Sequence, residues 1–175
     1  SLIFVGLLTL VIIVFGSRSM GIDNSDMYPV YRQVYIDKEV TDELLSDYLL
    51  SERSKSEPYS DSENAANFTA FAIFSTEEKS SGNYYVYAWV IESTYSFDAS
   101  VLSEQSGASY PCRFELISEN NTFKVVNADL PRDGGYYSED INKLFPEYLR
   151  EKIYNIYDDG TISELGDNII NEAKD

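Results

Sequence analysis

Between Asp37 and Leu50 the apolar positions fall at Val40, Leu44, Leu45, Tyr48 and Leu49, and acids fill much of the remaining circumference. A three-and-four spacing of this kind predicts an amphipathic helix that buries one stripe. After a polar run at 51–67 the period changes to two. Residues 68–76 read as a strand, and YYVYAWVIESTYSF, 84–97, as a second one. In the second strand Tyr85, Tyr87, Trp89 and Ile91 lie on one face, with Tyr84, Val86, Ala88 and Val90 on the other. A strand that is apolar on both faces belongs in the middle of a sheet. The polar stretch 98–109 reads as a connection. Residues 110–118 form a third strand, where Cys112, Phe114 and Leu116 alternate with Arg113 and Glu115. A short turn at 119–121 returns the chain along 122–130 as a hairpin, which completes a four-stranded antiparallel meander.

Helical spacing resumes with Ile141, Leu144, Phe145, Tyr148, Leu149, Ile153 and Ile156. Pro146 interrupts it, so two abutting helices are expected, with the proline near the first turn of the second. A DDG turn at 158–160 and a short amphipathic segment at 161–173 follow. One helix before a meander and more after it predict an α+β fold of the cystatin-like or NTF2-like kind, in which a curved sheet grips a helix.

The amino terminus departs from these patterns. SLIFVGLLTLVIIVFG carries no charge and is apolar on every side. It is short for a bilayer span, which takes about 20 residues, and reads as a membrane anchor over 1–17 whose beginning is truncated. Residues 18–36 then read as a stalk, 37–157 as the α+β domain, and 158–175 as a C-terminal turn and short helix. The acidic residues soon after Arg18 give the positive-inside bias little basis for holding the domain in the cytoplasm, so it is placed outside the cell.

Charge narrows the partners. Thirty Asp and Glu against thirteen Lys and Arg give a net charge of −17, which repels a polyphosphate and excludes nucleic acid. A protein or glycan partner remains open. With no histidine and one cysteine, a Cys/His zinc cluster, an internal disulfide and a histidine-activated nucleophile are all excluded. No S-x-x-K, phosphate-loop, dinucleotide or calcium-loop pattern is present, so no metal, cofactor or catalytic residue is assigned. Cys112 reads as a small buried hydrophobe.

Two constellations stand out. Tyr85, Tyr87 and Trp89, with Tyr95 further along, form an aromatic row that would stack a sugar or peptide if its face were open. Packing against a helix is the competing use of the same row. The second is LPRDGGYYSEDINKLFP, 130–146, where glycines open onto a helix as they do in phosphate-binding turns. Glu139 and Asp140 already occupy that positive helix end, so Pro131, Asp133, Gly134, Gly135 and Ser138 read as a structural corner, with Ser138 as the helix cap.

This corner, preceded by YVYAWVIESTY and YPCRFELISENNTFKVVNADL, resembles a small extracytoplasmic module of membrane-anchored proteins from low-GC Gram-positive bacteria. The module is similar to the one appended to BlaR/MecR-type antibiotic-sensing membrane metallopeptidases. The resemblance covers roughly 68–150 and implies a location and a domain type. The peptidase H-E-x-x-H motif is not in this sequence, so no catalytic residue carries over. The expected function is that of a non-enzymatic, membrane-anchored sensor or binding domain. The alternative is an inhibitor or immunity-like protein whose acidic face binds a basic partner. A carboxylate-based glycan hydrolase would need two carboxyl groups facing each other beside Trp89.

Overall fold

The computed structural model describes residues 32–56, 65–98, 101–120 and 122–174. The expected anchor at 1–17 and most of the expected stalk lie outside these residues. Among the described residues no helix is long and apolar enough to cross a membrane.

The elements run β1 (Arg32–Gln33), α1 (Lys38–Ser56), β2 (Ala65–Ser80), β3 (Asn83–Asp98), β4 (Val101–Glu119) and β5 (Thr122–Asp129). A single 3-10 turn (Gly134–Tyr136) then leads into α2 (Tyr137–Leu144), α3 (Glu147–Tyr154) and α4 (Thr161–Lys174). The strands form one antiparallel sheet in the order β1-β2-β3-β4-β5. The α+β expectation therefore holds, but the sheet has five strands where the sequence pattern suggested four. The extra strand is the two-residue β1, which pairs Arg32 with Glu78 and Gln33 with Glu77. Two residues are too few to show an alternation. Val34 donates its N–H to the Thr76 carbonyl and Ile36 is buried, so 32–36 belong to the folded domain and not to a stalk.

Strand β3 matches its expected span to within one residue at each end, whereas β2 and β4 are much longer than their hydrophobic patterns. Residues 98–109, expected as a connection, are largely strand: β3 continues to Asp98, and β4 pairs with it from Val101 onward. Ser103 to Ser109 are all exposed, so nothing there writes an alternation into the sequence. Backbone hydrogen bonds to β3 hold this half of β4, and those bonds are indifferent to side-chain type. Similarly, α1 continues to Ser56 through residues expected to be loop.

Strand β3 lies at the centre and divides two cores. Its even-numbered residues, Tyr84 to Val90, join Phe71, Cys112, Phe114, Leu116, Phe123 and Val125 beneath Leu45 and Leu49 of α1. Asp37 caps that helix: its Oδ1 accepts the Glu39 N–H at 3.0 Å, and its carbonyl accepts from the Thr41 hydroxyl at 2.8 Å. The odd-numbered face of β3 packs against Ile141, Phe145, Leu149, Ile153, Leu165 and Ile169 of the C-terminal helices. Helices therefore cover both faces of the sheet. Pro146 stands immediately before α3 with φ −55°, so α2 and α3 are the two abutting helices the sequence predicts.

Phe114 is fully buried and meets Phe71 edge-on at 6.3 Å between ring centroids. Phe114→Ala is expected to cost about 3–5 kcal/mol in urea unfolding. Val126→Ala, at an exposed register shift between β4 and β5, is expected to stay within about 0.5 kcal/mol of wild type.

Candidate functional site

The aromatic row is buried beneath α2–α4 instead of facing solvent. Tyr85, Tyr87, Trp89 and Tyr95 are each less than 10% exposed. Each ring has an aromatic neighbour: Tyr85 with Tyr87, Tyr87 with Phe145, Trp89 with Tyr157, and Tyr95 with Phe68, at centroid distances of 5.6–6.1 Å. The packing use of the row therefore prevails over the open stacking face. The apolar stripe at 141–156 carries the signal for this, because it needs a sheet face to bury against. At the Tyr85 end, the Arg113 guanidinium and the Lys79 ammonium lie 4.6 and 4.7 Å from the ring centroid.

The structure builds the glycine-rich stretch as a corner, with a different set of bonds from the one expected. Gly134 takes φ +69°, which suits a residue without Cβ. Gly135 lies within the 3-10 turn that runs into α2, and the Tyr137 N–H donates back to the Gly134 carbonyl. That turn supplies an acceptor at the helix start, and α2 begins at Tyr137, so Ser138 is inside the helix and not its cap. Asp133 makes no side-chain capping bond, and Pro131 leads into the corner half-buried.

The fastening comes from Asp140, whose partner the sequence reading missed. Its Oδ2 accepts the Arg132 backbone N–H at 2.9 Å and the guanidinium Nε at 2.7 Å, and its Oδ1 accepts Nη2 at 2.8 Å. Arg132 also lies over the Tyr136 ring at 4.3 Å. Held by three donors of Arg132, this carboxylate places its negative charge at the helix start and is committed to its own chain.

A second buried carboxylate pins α3 to the sheet. Glu77 on β2 is 3% exposed. The Tyr148 hydroxyl donates to its Oε1 at 2.5 Å, and the Tyr87 hydroxyl lies 3.4 Å from Oε2. Burial, with the bond to Glu77, raises the Tyr148 phenol above its ordinary value and keeps the donor proton in place. Cys112 is sealed in the first core, and burial pushes its thiol well above the ordinary range, as expected for a packing residue.

A cleft of about 640 Å³ lies at the far end of the β3–β4 hairpin. Ile91 and Tyr95 of β3 lie on one side, Ile169 and Ile170 of α4 on another, and Tyr157 and Glu104 also line it. Of the aromatic row only Tyr95 lines this cleft; its other walls, α4 and the far half of β4, meet only in three dimensions and leave no signal in the sequence. Glu104 accepts from the Ser93 hydroxyl at 3.0 Å, and a Cβ on Gly107 would approach its Oε1 to 2.8 Å. Burial, and then the Glu104 charge, raise the Tyr95 phenol. Trp89 Nε1 donates to Ser109 Oγ at 2.8 Å, fixing the indole below the cleft's rim.

Gly166 stands mid-helix in α4 on the cleft wall, and apart from its own helix backbone and chain neighbours no described atom lies within 4 Å of where its Cβ would be. Sterics do not require glycine there, and helix propensity disfavours it by roughly 1 kcal/mol against alanine. Among the described residues Glu104 is the sole carboxylate lining the cleft, and no Lys or Arg lines it. Glu92 lies on the opposite face of β3, where the Tyr110 hydroxyl donates to it at 2.6 Å. Among the described residues no three His, Cys, Asp or Glu side chains are gathered as metal ligands.

No protein-family model, curated protein or solved structure matches this chain.

The corner carries a pH dependence. The Arg132 hydrogen bonds hold the Asp140 carboxyl below its ordinary value near 4. Its stabilising contribution is present above the unfolded value and is lost as pH falls through the folded one. Asp140→Asn is expected to lower stability at neutral pH and to flatten the loss of stability below about pH 4. Urea midpoints measured from pH 7 to pH 2 test this; parallel curves for the two proteins would contradict it.

Proposed function

We propose that this chain is a non-enzymatic extracytoplasmic binding domain held at the membrane by residues 1–17, with the β3–β4/α4 cleft as its ligand site. The observation that carries the binding reading is Gly166. A helix-disfavoured residue keeps one cleft wall bare where a side chain would fit, and an opening maintained against helix propensity is what a binding site needs. The apolar wall of Ile91, Ile169 and Ile170 beside a carboxylate and serine hydroxyls suits an amphipathic ligand, a peptide or a glycan. The meander across α1 supports kinship with cystatin-like or NTF2-like sheets, with α2–α4 as a second layer on the opposite face. The corner sequence supports similarity to the module of BlaR/MecR-type proteins.

The net charge of −17 together with Glu104 in the cleft favours one variation, an inhibitor or immunity-like role toward a basic protein.

Two experiments test these readings. Gly166→Ala is expected to stabilise the protein by about 0.5–1 kcal/mol. Gly166→Leu is expected to fold and to fill the cleft. N-acetylglucosamine oligomers and short peptides titrated onto wild type should then shift the NMR signals of Tyr157, Ile169 and Ile170, and leave those of Gly166→Leu unmoved. No shift with any probe, or equal shifts in both proteins, would reject the cleft as the site. Separately, protease added to intact cells is expected to remove the acidic domain, and its protection would reject the outside placement.

A further inference from the structure

Glycine weakens the interior of a strand, and one that stands there often marks the close approach of another group. Gly107 of β4 has such a neighbour. It pairs across the ladder with Ser93 of β3, and a Cβ added to it would stand 2.8 Å from Glu104 Oε1. Glu104 pairs with Tyr95, yet its carboxylate reaches back along β4 to the Gly107–Ser93 pair, where the Ser93 hydroxyl donates to it at 3.0 Å. Ser93 is 5% exposed, so a buried hydroxyl holds the carboxylate over the cleft. Among the described residues this is the carboxylate's one hydrogen bond, and no Lys or Arg pairs with it. Its charge is unmatched within the described chain.

The cleft is polar at its rim and apolar at its floor. Glu104, Gly107 and Ser109 on the β4 wall are exposed, whereas Ile91 and Ile169 are 9% and 1% exposed. A ligand that matches both levels carries one positive charge and, next to it, an apolar group that reaches inward. Order matters as well as composition. A lysine side chain has its ammonium at the tip, so it would carry the charge down to the isoleucines and lose its water there. The α-ammonium of an apolar amino-terminal residue has the reverse order: the charge stays at the rim while the side chain goes down. A volume of about 640 Å³ also exceeds what a simple aliphatic amine fills. Ser109 Oγ accepts from Trp89 and keeps its own proton to donate to a peptide carbonyl.

We propose that the cleft captures the free amino terminus of a peptide whose first residue is apolar, with the α-ammonium on Glu104 and the first side chain against Ile91 and Ile169. This rests on the binding reading above and names the part of the ligand that is read. Gly107 seats the carboxylate, Gly166 leaves the facing wall open, and the net charge of −17 draws the cationic end in. Because Ser93 already fixes one carboxylate oxygen, little ordering of Glu104 is left for binding to impose.

The test uses the full chain in zwitterionic bilayer discs, peptides amidated at the carboxyl end, and the NMR signals of Ile169 and Ile170. Leu-Ala-Ala is expected to shift these signals. Its amino-acetylated form, Nα-acetyl-Lys-Ala-Ala and 3-methylbutylamine should bind at least fivefold more weakly, and Gly-Ala-Ala at least tenfold. Glu104→Gln should weaken Leu-Ala-Ala about fivefold and leave the acetylated peptide unaffected. Gly107→Ala keeps the carboxylate but forces it off its seat. It should weaken Leu-Ala-Ala at least twofold while unfolding at no lower urea concentration than wild type. Equal binding of the acetylated or the lysine peptide, or equal affinity of wild type and Glu104→Gln, would mean that the terminal ammonium is not read and overturn the proposal. Equal binding of 3-methylbutylamine would remove the peptide from it and overturn it too. No shift with any of these probes overturns it as well. In that case, shifts from N-acetylglucosamine oligomers that Gly166→Leu abolishes would leave the cleft standing as a site for a different ligand. Loss of both responses would remove the cleft as well.

Discussion

Strand β3 has no polar side from Tyr84 to Ile91, so each face requires its own layer of helix, and most of the architecture follows from that demand. Leu45 and Leu49 of α1 serve the even-numbered face, and α2–α4 serve the odd-numbered one. A strand buried twice must also lie away from the sheet edges, which places β2 and β4 on either side of it. The cleft arises where this coverage runs out. There α4 faces the outer half of the hairpin across a gap, and the β4 residues on that stretch include serine, glycine and glutamate.

The parts of this organisation that rest on side-chain burial are legible in the sequence. The two faces of β3, the stripe on α1, the apolar run at 141–156 and the break at Pro146 all appear as periodicities. What rests on backbone bonding is not legible. The far half of β4 is strand because β3 is beside it, and β1 is too short for any pattern. The aromatic row shows a different limit: one alternation fits an open stacking face or a covered one, and only the partner helices decide between them. Of the candidate residues, Tyr95 reaches the cleft, while Tyr85, Tyr87 and Trp89 serve the core.

The corner at Pro131–Ser138 is instructive because its outline was readable and its fastening was not. The corner itself was expected, and Gly134 makes its turn at positive φ. The expected hydroxyl cap gave way to an arginine eight residues before an aspartate, a pairing that needs the turn already formed before the two meet. Local rules find caps that lie next to their helix, whereas Arg132 and Asp140 become neighbours only through the shape of the loop between them.

The indole of Trp89 has a consequence of its own. It is the single tryptophan of the chain, it donates to Ser109 of β4, and its ring meets Tyr157 at 5.6 Å on the cleft wall. A displacement of β4 or of Tyr157 alters its hydrogen bond or its aromatic neighbour. The emission spectrum of the native protein is thus a built-in optical gauge of that end of the sheet, with no dye and no competing chromophore of its class.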